Sequence, residues 1–121
     1  MSQPERRAAA RIASRLPVAI GDGHGELLTQ TENVSTLGAY CTVKRFLAPM
    51  TKLQIRLEVP GHPQPTPVTC EGVVVRVDPV LTNPTEARYQ VAILFRDLSD
   101  RSRSVLAHYV QQRLHTSVLR G

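Results

Sequence analysis

Short runs in which apolar and polar residues alternate recur through the middle of the chain, and one run with helical spacing follows them. In the clearest, Leu53, Ile55, Leu57 and Val59 interleave with Gln54, Arg56 and Glu58, a period of two that predicts a strand with one buried face. Pro60 and Gly61 end it. Tyr89, Val91, Ile93 and Phe95 alternate in the same way with Arg88, Gln90, Ala92 and Leu94, giving a second strand with a strongly apolar side. Residues 16–20 and 26–33 flank Gly21-Asp22-Gly23-His24-Gly25, a glycine-dense reversal, and read as a hairpin. Residues 38–43 form a further short strand after a polar corner. The proline-rich stretch 62–67 reads as a loop, residues 68–77 as a strand with Gly72 marking a bulge, and residues 79–84 as the connection to the last strand.

At Ser99 the period changes. Ser99 is placed to cap a helix over residues 100–116, with Asp100 in its first turn and Arg113 in its last. Val105, Leu106, Tyr109, Val110 and Leu114 make its apolar stripe, which must pack on the strands or on a partner molecule, a second copy of the chain included. Six short antiparallel strands in about 80 residues favour closure, because a barrel leaves no exposed edge. The expected fold is therefore mainly β: a six-stranded antiparallel barrel with a C-terminal α-helix. Residues 1–15 are expected to form a flexible arm, 16–117 the barrel and helix, and 118–121 a frayed tail.

Composition adds a partner class. Lys and Arg number 15 against 10 Asp and Glu, a formal charge of +5, and only Lys44 and Lys52 are lysines. A surface built from guanidinium groups suits planar, bidentate partners: phosphate, carboxylate or a guanine edge. No apolar run approaches the ~20 residues of a membrane-spanning helix, and the N-terminus has no hydrophobic signal core, so the expectation is a cytoplasmic protein without membrane insertion. Cys41 and Cys70 lie in separate apolar segments and read as reduced core residues. His24, His62, His108 and His115 have no metal-ligand grouping, and no nucleophile elbow, Cys/His couple or phosphate-cradling loop is present, so neither a metal nor a catalytic residue is expected. The aromatics Tyr40, Phe46, Tyr89, Phe95 and Tyr109 show no pattern of exposed stacking residues, which argues against DNA or RNA as the partner.

Two clusters call for more than a structural account. Arg6, Arg7, Arg11 and Arg15 crowd the N-terminus, opposed there only by Glu5. Arg7 and Arg11 stand four apart, so a helix or a flexible arm could bring both guanidiniums to one anion. The second cluster is Asn33-Val34-Ser35-Thr36-Leu37-Gly38, between two strands. Asn33 and Ser35 would share a face of an extended segment, presenting an amide beside a hydroxyl, and Gly38 permits a tight turn or a close ligand approach. The same residues also suit a corner whose side chains cap backbone groups.

In order and spacing, Arg7-x-x-x-Arg11 followed by Asn33-x-Ser35-x-x-Gly38 resembles the PilZ domain family, whose pattern is RxxxR and then (D/N)xSxxG on a six-stranded barrel with a following helix. The resemblance runs from about Arg6 to Thr116. It implies a non-catalytic receptor for cyclic di-GMP, with no cofactor beyond that ligand. Arg7 and Arg11 would contact the nucleotide from the arm, with Arg6 a lesser candidate for a second phosphate. Asn33 and Ser35 would bond guanine or phosphate from the barrel, and Gly38 would keep the corner open. An arm ordered by ligand would present a new surface to a protein effector. The alternative is a PilZ-like adaptor that acts through protein contacts without binding nucleotide.

Overall fold

The computed structural model describes residues 10–61, 63–83 and 86–120. The alternating runs become β1 (Ile12–Ala13), β2 (Pro17–Gly21), β3 (Glu26–Val34), β4 (Gly38–Val43), β5 (Lys52–Val59), β6 (Thr66–Asn83) and β7 (Glu86–Arg96), followed by α1 (Asp100–Arg120). Strands β2, β5, β6, β7, β4 and β3 pair antiparallel in that order, and β3 pairs back to β2, closing a six-stranded barrel. The remaining strand, β1, continues the line of β2 along the same edge of β3, with Ile12 opposite Val34 and Ala13 opposite Asn33.

Period-two patterning puts one set of side chains inside. Leu53, Ile55, Leu57 and Val59 from β5 and Val91, Ile93 and Phe95 from β7 are all buried. Leu106, Tyr109 and Val110 of α1 join the same core, so the helix packs on its own barrel. Its start is as expected: the Ser99 hydroxyl accepts the Ser102 N–H at 3.0 Å, and Asp100 lies in the first turn. In the hairpin between β2 and β3, the His24 N–H donates to Asp22 Oδ1 at 2.8 Å and Arg45 pairs with Asp22 at 2.8 Å. The His24 N–H holds the Asp22 carboxyl below its ordinary range against the opposing effect of burial, and Arg45 adds to the lowering.

Several boundaries differ from the sequence expectation. The strand expected over 68–77 runs to Asn83, through Pro79. Beyond Val73 no β5 residue pairs with β6, so Pro79 lies on an edge where a missing N–H costs no ladder bond. Gly72 is not a bulge: it sits in register opposite Leu53 and Phe95, while the register shifts between Val74 and Arg76. Glycine is needed there for room, since a Cβ would lie 2.8 Å from Ile93 Cγ2 and 2.9 Å from Ile55 Cγ1. The helix expected to end at Thr116 extends to Arg120, with neither Gly nor Pro between them to stop it. Of the expected arm, Ile12 and Ala13 belong to the sheet, and Ile12 and Ser14 are buried.

Both cysteines are free and buried. Burial, with the Glu32 charge adding to it, pushes the Cys41 thiol up to about 12; burial likewise dominates at Cys70, raised to about 11. Neither is a nucleophile at neutral pH. Among the described residues, no helix is long and apolar enough to cross a membrane, and no group of three or more His, Cys, Asp or Glu is placed to hold a metal ion.

Candidate functional site

The site is built around a fault in β3. Thr31 and Val34 are both fully buried although three residues apart, which strict alternation forbids. The pairing of β3 with β4 shifts register between Thr31 and Asn33, so Glu32 and Asn33 both turn outward before Val34 returns to the core. Asn33 then lies opposite Tyr40 of β4 and opposite Ala13 of β1.

Arg11, immediately before β1, meets this pair. Its Nη1 donates to Asn33 Oδ1 at 2.5 Å, and the guanidinium lies over the Tyr40 ring, 5.1 Å from its centroid. A guanidinium has only donors, so the Asn33 amide must turn its oxygen to Arg11; its NH2 group is left to point elsewhere. One half of each sequence motif is thus in direct contact. Arg6 and Arg7, also expected at the site, lie outside the described residues.

Ser35 and Gly38 have duties within the barrel. Ser35 is 1% exposed; its Oγ accepts the Leu37 N–H at 3.0 Å, and its own N–H donates to the Gly38 carbonyl at 2.9 Å. Asn33 and Ser35 therefore do not stand side by side on one face: the strand ends at Val34, and Ser35 turns in to hold the corner. Gly38 sits against β7, where a Cβ would lie 2.1 Å from the Ile93 carbonyl oxygen, so its glycine is demanded by strand packing.

Sequence reasoning did not place Tyr40, Glu32 or Arg88 at the site. Tyr40 is the face on which Arg11 rests, and the hairpin register could have revealed it only with the bulge known. Glu32 accepts hydrogen bonds from Thr42 and, at 2.6 Å, from Gln90, tying β3, β4 and β7 together on the outer surface. Arg15 and Arg88 flank this cluster across an open depression of about 480 Å³. The two guanidiniums stand on either side of the Glu32 carboxylate, and Arg88 is itself paired with Glu86 at 3.2 Å.

The sequence matches the family described as PilZ domain over residues 5–112. No curated protein matches it. Among solved structures, the Bacillus subtilis inhibitor of motility (MotI/DgrA) superposes with a TM-score of 0.79 at 18% identity, covering 96% of this chain and 53% of that one. The PilZ domain of Escherichia coli YcgR, solved with c-di-GMP, gives 0.66 at 12% identity, covering 93% and 97%. The c-di-GMP complex of K. pneumonia MrkH gives 0.68 at 16% identity, covering 100% and 57%. The chain thus spans about half the length of MotI and MrkH and nearly all of the isolated YcgR domain.

Proposed function

Since this chain belongs to the PilZ domain family, we propose that it is a non-catalytic receptor for cyclic di-GMP whose site is centred on Arg11 and Asn33. The observation that carries the reading is the meeting of the two motif halves, with Arg11 bonded to Asn33 and stacked on Tyr40. Guanine presents O6 and N7 as adjacent acceptors, which one guanidinium meets bidentately, and the phosphodiesters accept charge-assisted bonds. Arg11 has one face on Tyr40; its other face offers a stacking surface to a purine, and its remaining N–H donors can reach base or phosphate. The Asn33 NH2 adds donors beside it. Arg7 supplies the second guanidinium of the clamp, with Arg6 as a further cation for phosphate. Binding shifts the arm toward a state closed over the ligand, and a protein effector reads the surface so formed.

The adaptor reading has one observation in its favour: Ser35 and Gly38 are occupied by contacts inside the barrel whether or not a nucleotide binds. A thermal melt separates the two. At about 100 times its dissociation constant, cyclic di-GMP should stabilise a receptor by about 2.7 kcal/mol, a rise of about 10 °C in the midpoint for a domain of this size, whereas GMP should not. The nucleotide should be recovered intact afterwards. An unchanged midpoint favours the adaptor, and a consumed nucleotide contradicts a non-catalytic role.

A further inference from the structure

We propose that Tyr109 of α1 is a positioning residue for the nucleotide site, acting through its hydrogen bond to Ser14, so that the C-terminal helix and the ligand stabilise one another. This rests on the receptor reading given above.

β1 is held to the sheet along one edge only. It has two residues, paired with β3 only, and it joins Arg11 to the rest of the barrel. Two side chains fix the bend that follows it. From the barrel, Thr31 Oγ1 donates to the Ser14 carbonyl at 2.5 Å and accepts the Leu16 N–H at 2.9 Å, while the Thr31 N–H donates to the Leu16 carbonyl at 2.9 Å. From the helix, the Tyr109 hydroxyl lies 2.5 Å from Ser14 Oγ, across 95 positions of sequence. Ser14 is 8% exposed and Tyr109 7%. Two polar groups so largely buried satisfy each other, and separating them costs each its short, direct partner across the seam.

Arg113, one turn on, reinforces the arrangement. Its guanidinium lies 5.9 Å from the centre of the Tyr109 ring, and its Nη1 donates to the Tyr109 hydroxyl at 3.4 Å. Beside this contact an open groove of about 610 Å³ is lined by Arg15, Pro60 and Arg113. Water therefore reaches the seam between helix and β1, and the Ser14–Tyr109 bond is the polar latch across it.

A ligand that requires Arg11 against Asn33 selects the state in which β1 is docked. That same state is stabilised by the helix through Ser14. Two sites biasing one equilibrium are coupled reciprocally: the nucleotide must tighten α1, and loosening α1 must weaken the nucleotide.

Hydrogen exchange read by mass spectrometry, together with titration of cyclic di-GMP, tests the coupling on the full chain. In the wild type, ligand should slow exchange in α1 as well as at β1. In Tyr109→Phe, affinity should fall about threefold, consistent with the loss of one hydrogen bond at a linked site, and the ligand-induced slowing of α1 should disappear. Ser14→Ala should do the same, the double variant should add nothing further, and Ser14→Thr, which keeps the hydroxyl, should retain the effect. Nucleotide binding without any change in α1 exchange overturns the coupling, as does unaltered protection in Tyr109→Phe and Ser14→Ala. Absence of nucleotide binding by the wild type overturns the receptor reading and the coupling with it.

Discussion

Arg11→Ala is expected to weaken cyclic di-GMP binding by on the order of 2 kcal/mol, roughly 30-fold, while the protein stays folded. The size follows from what is removed: a charged donor set that can address a guanine edge or a phosphate and a flat cation on which a base can stack. In the protein without ligand, Arg11 is exposed and makes one hydrogen bond to Asn33 and one ring contact with Tyr40, so its loss should cost less than about 1 kcal/mol of stability. Arg7→Ala should weaken binding by a similar amount. Arg11→Lys should fall between, since an ammonium keeps the charge but cannot bond bidentately or stack as a plane. Calorimetric titration beside a thermal melt separates these effects. Unchanged affinity in both alanine variants would remove the two-arginine clamp from the account.

The other large effect belongs to Gly38 and falls on folding. A methyl group there would sit 2.1 Å from the Ile93 carbonyl oxygen, a backbone atom in the strand that closes the barrel against β4. Neither strand can move without disturbing the β4–β7 ladder, in which Gly38 pairs with Leu94 and Ala39 with Ile93. Gly38→Ala should therefore destabilise the protein by on the order of 3 kcal/mol, lowering the melting midpoint by about 10 °C. A wild-type midpoint in this variant would show that the strands are free to separate. The same reasoning cautions against assigning Gly38 a ligand contact from a loss of binding alone.

Much of the barrel was legible because its strands show their buried face directly. β5 alternates cleanly and β7 does so apart from the buried Ala92, the glycines of 21–25 mark the hairpin, and Ser99 marks the start of the helix. What was not legible depends on partners distant in sequence. The extension of β6 past Pro79 is tolerated because β5 has already ended on that side. The room that Gly72 provides is defined by Ile55 and Ile93, on two other strands.

The site divides in the same way. The motif spacing named Arg11 and Asn33, and the structure brings them into contact. It also suggested that Asn33 and Ser35 share a face, which holds only for an unbroken strand; the shift at Glu32 and the turn at Ser35 separate them. Tyr40 lies in a short apolar run, and its place beside the site follows only from the register with Asn33. The Ser14–Tyr109 bond joins residues 95 positions apart, and no local pattern announces it.

A calorimetric titration of the wild-type chain with cyclic di-GMP, run beside the Arg7→Ala/Arg11→Ala double variant, shows whether the two arginines make the site. Saturable binding is expected of the wild type and none at the same concentrations of the double variant, with both proteins showing the same folded spectrum. No heat of binding in the wild type, or equal binding by the double variant, would contradict that expectation.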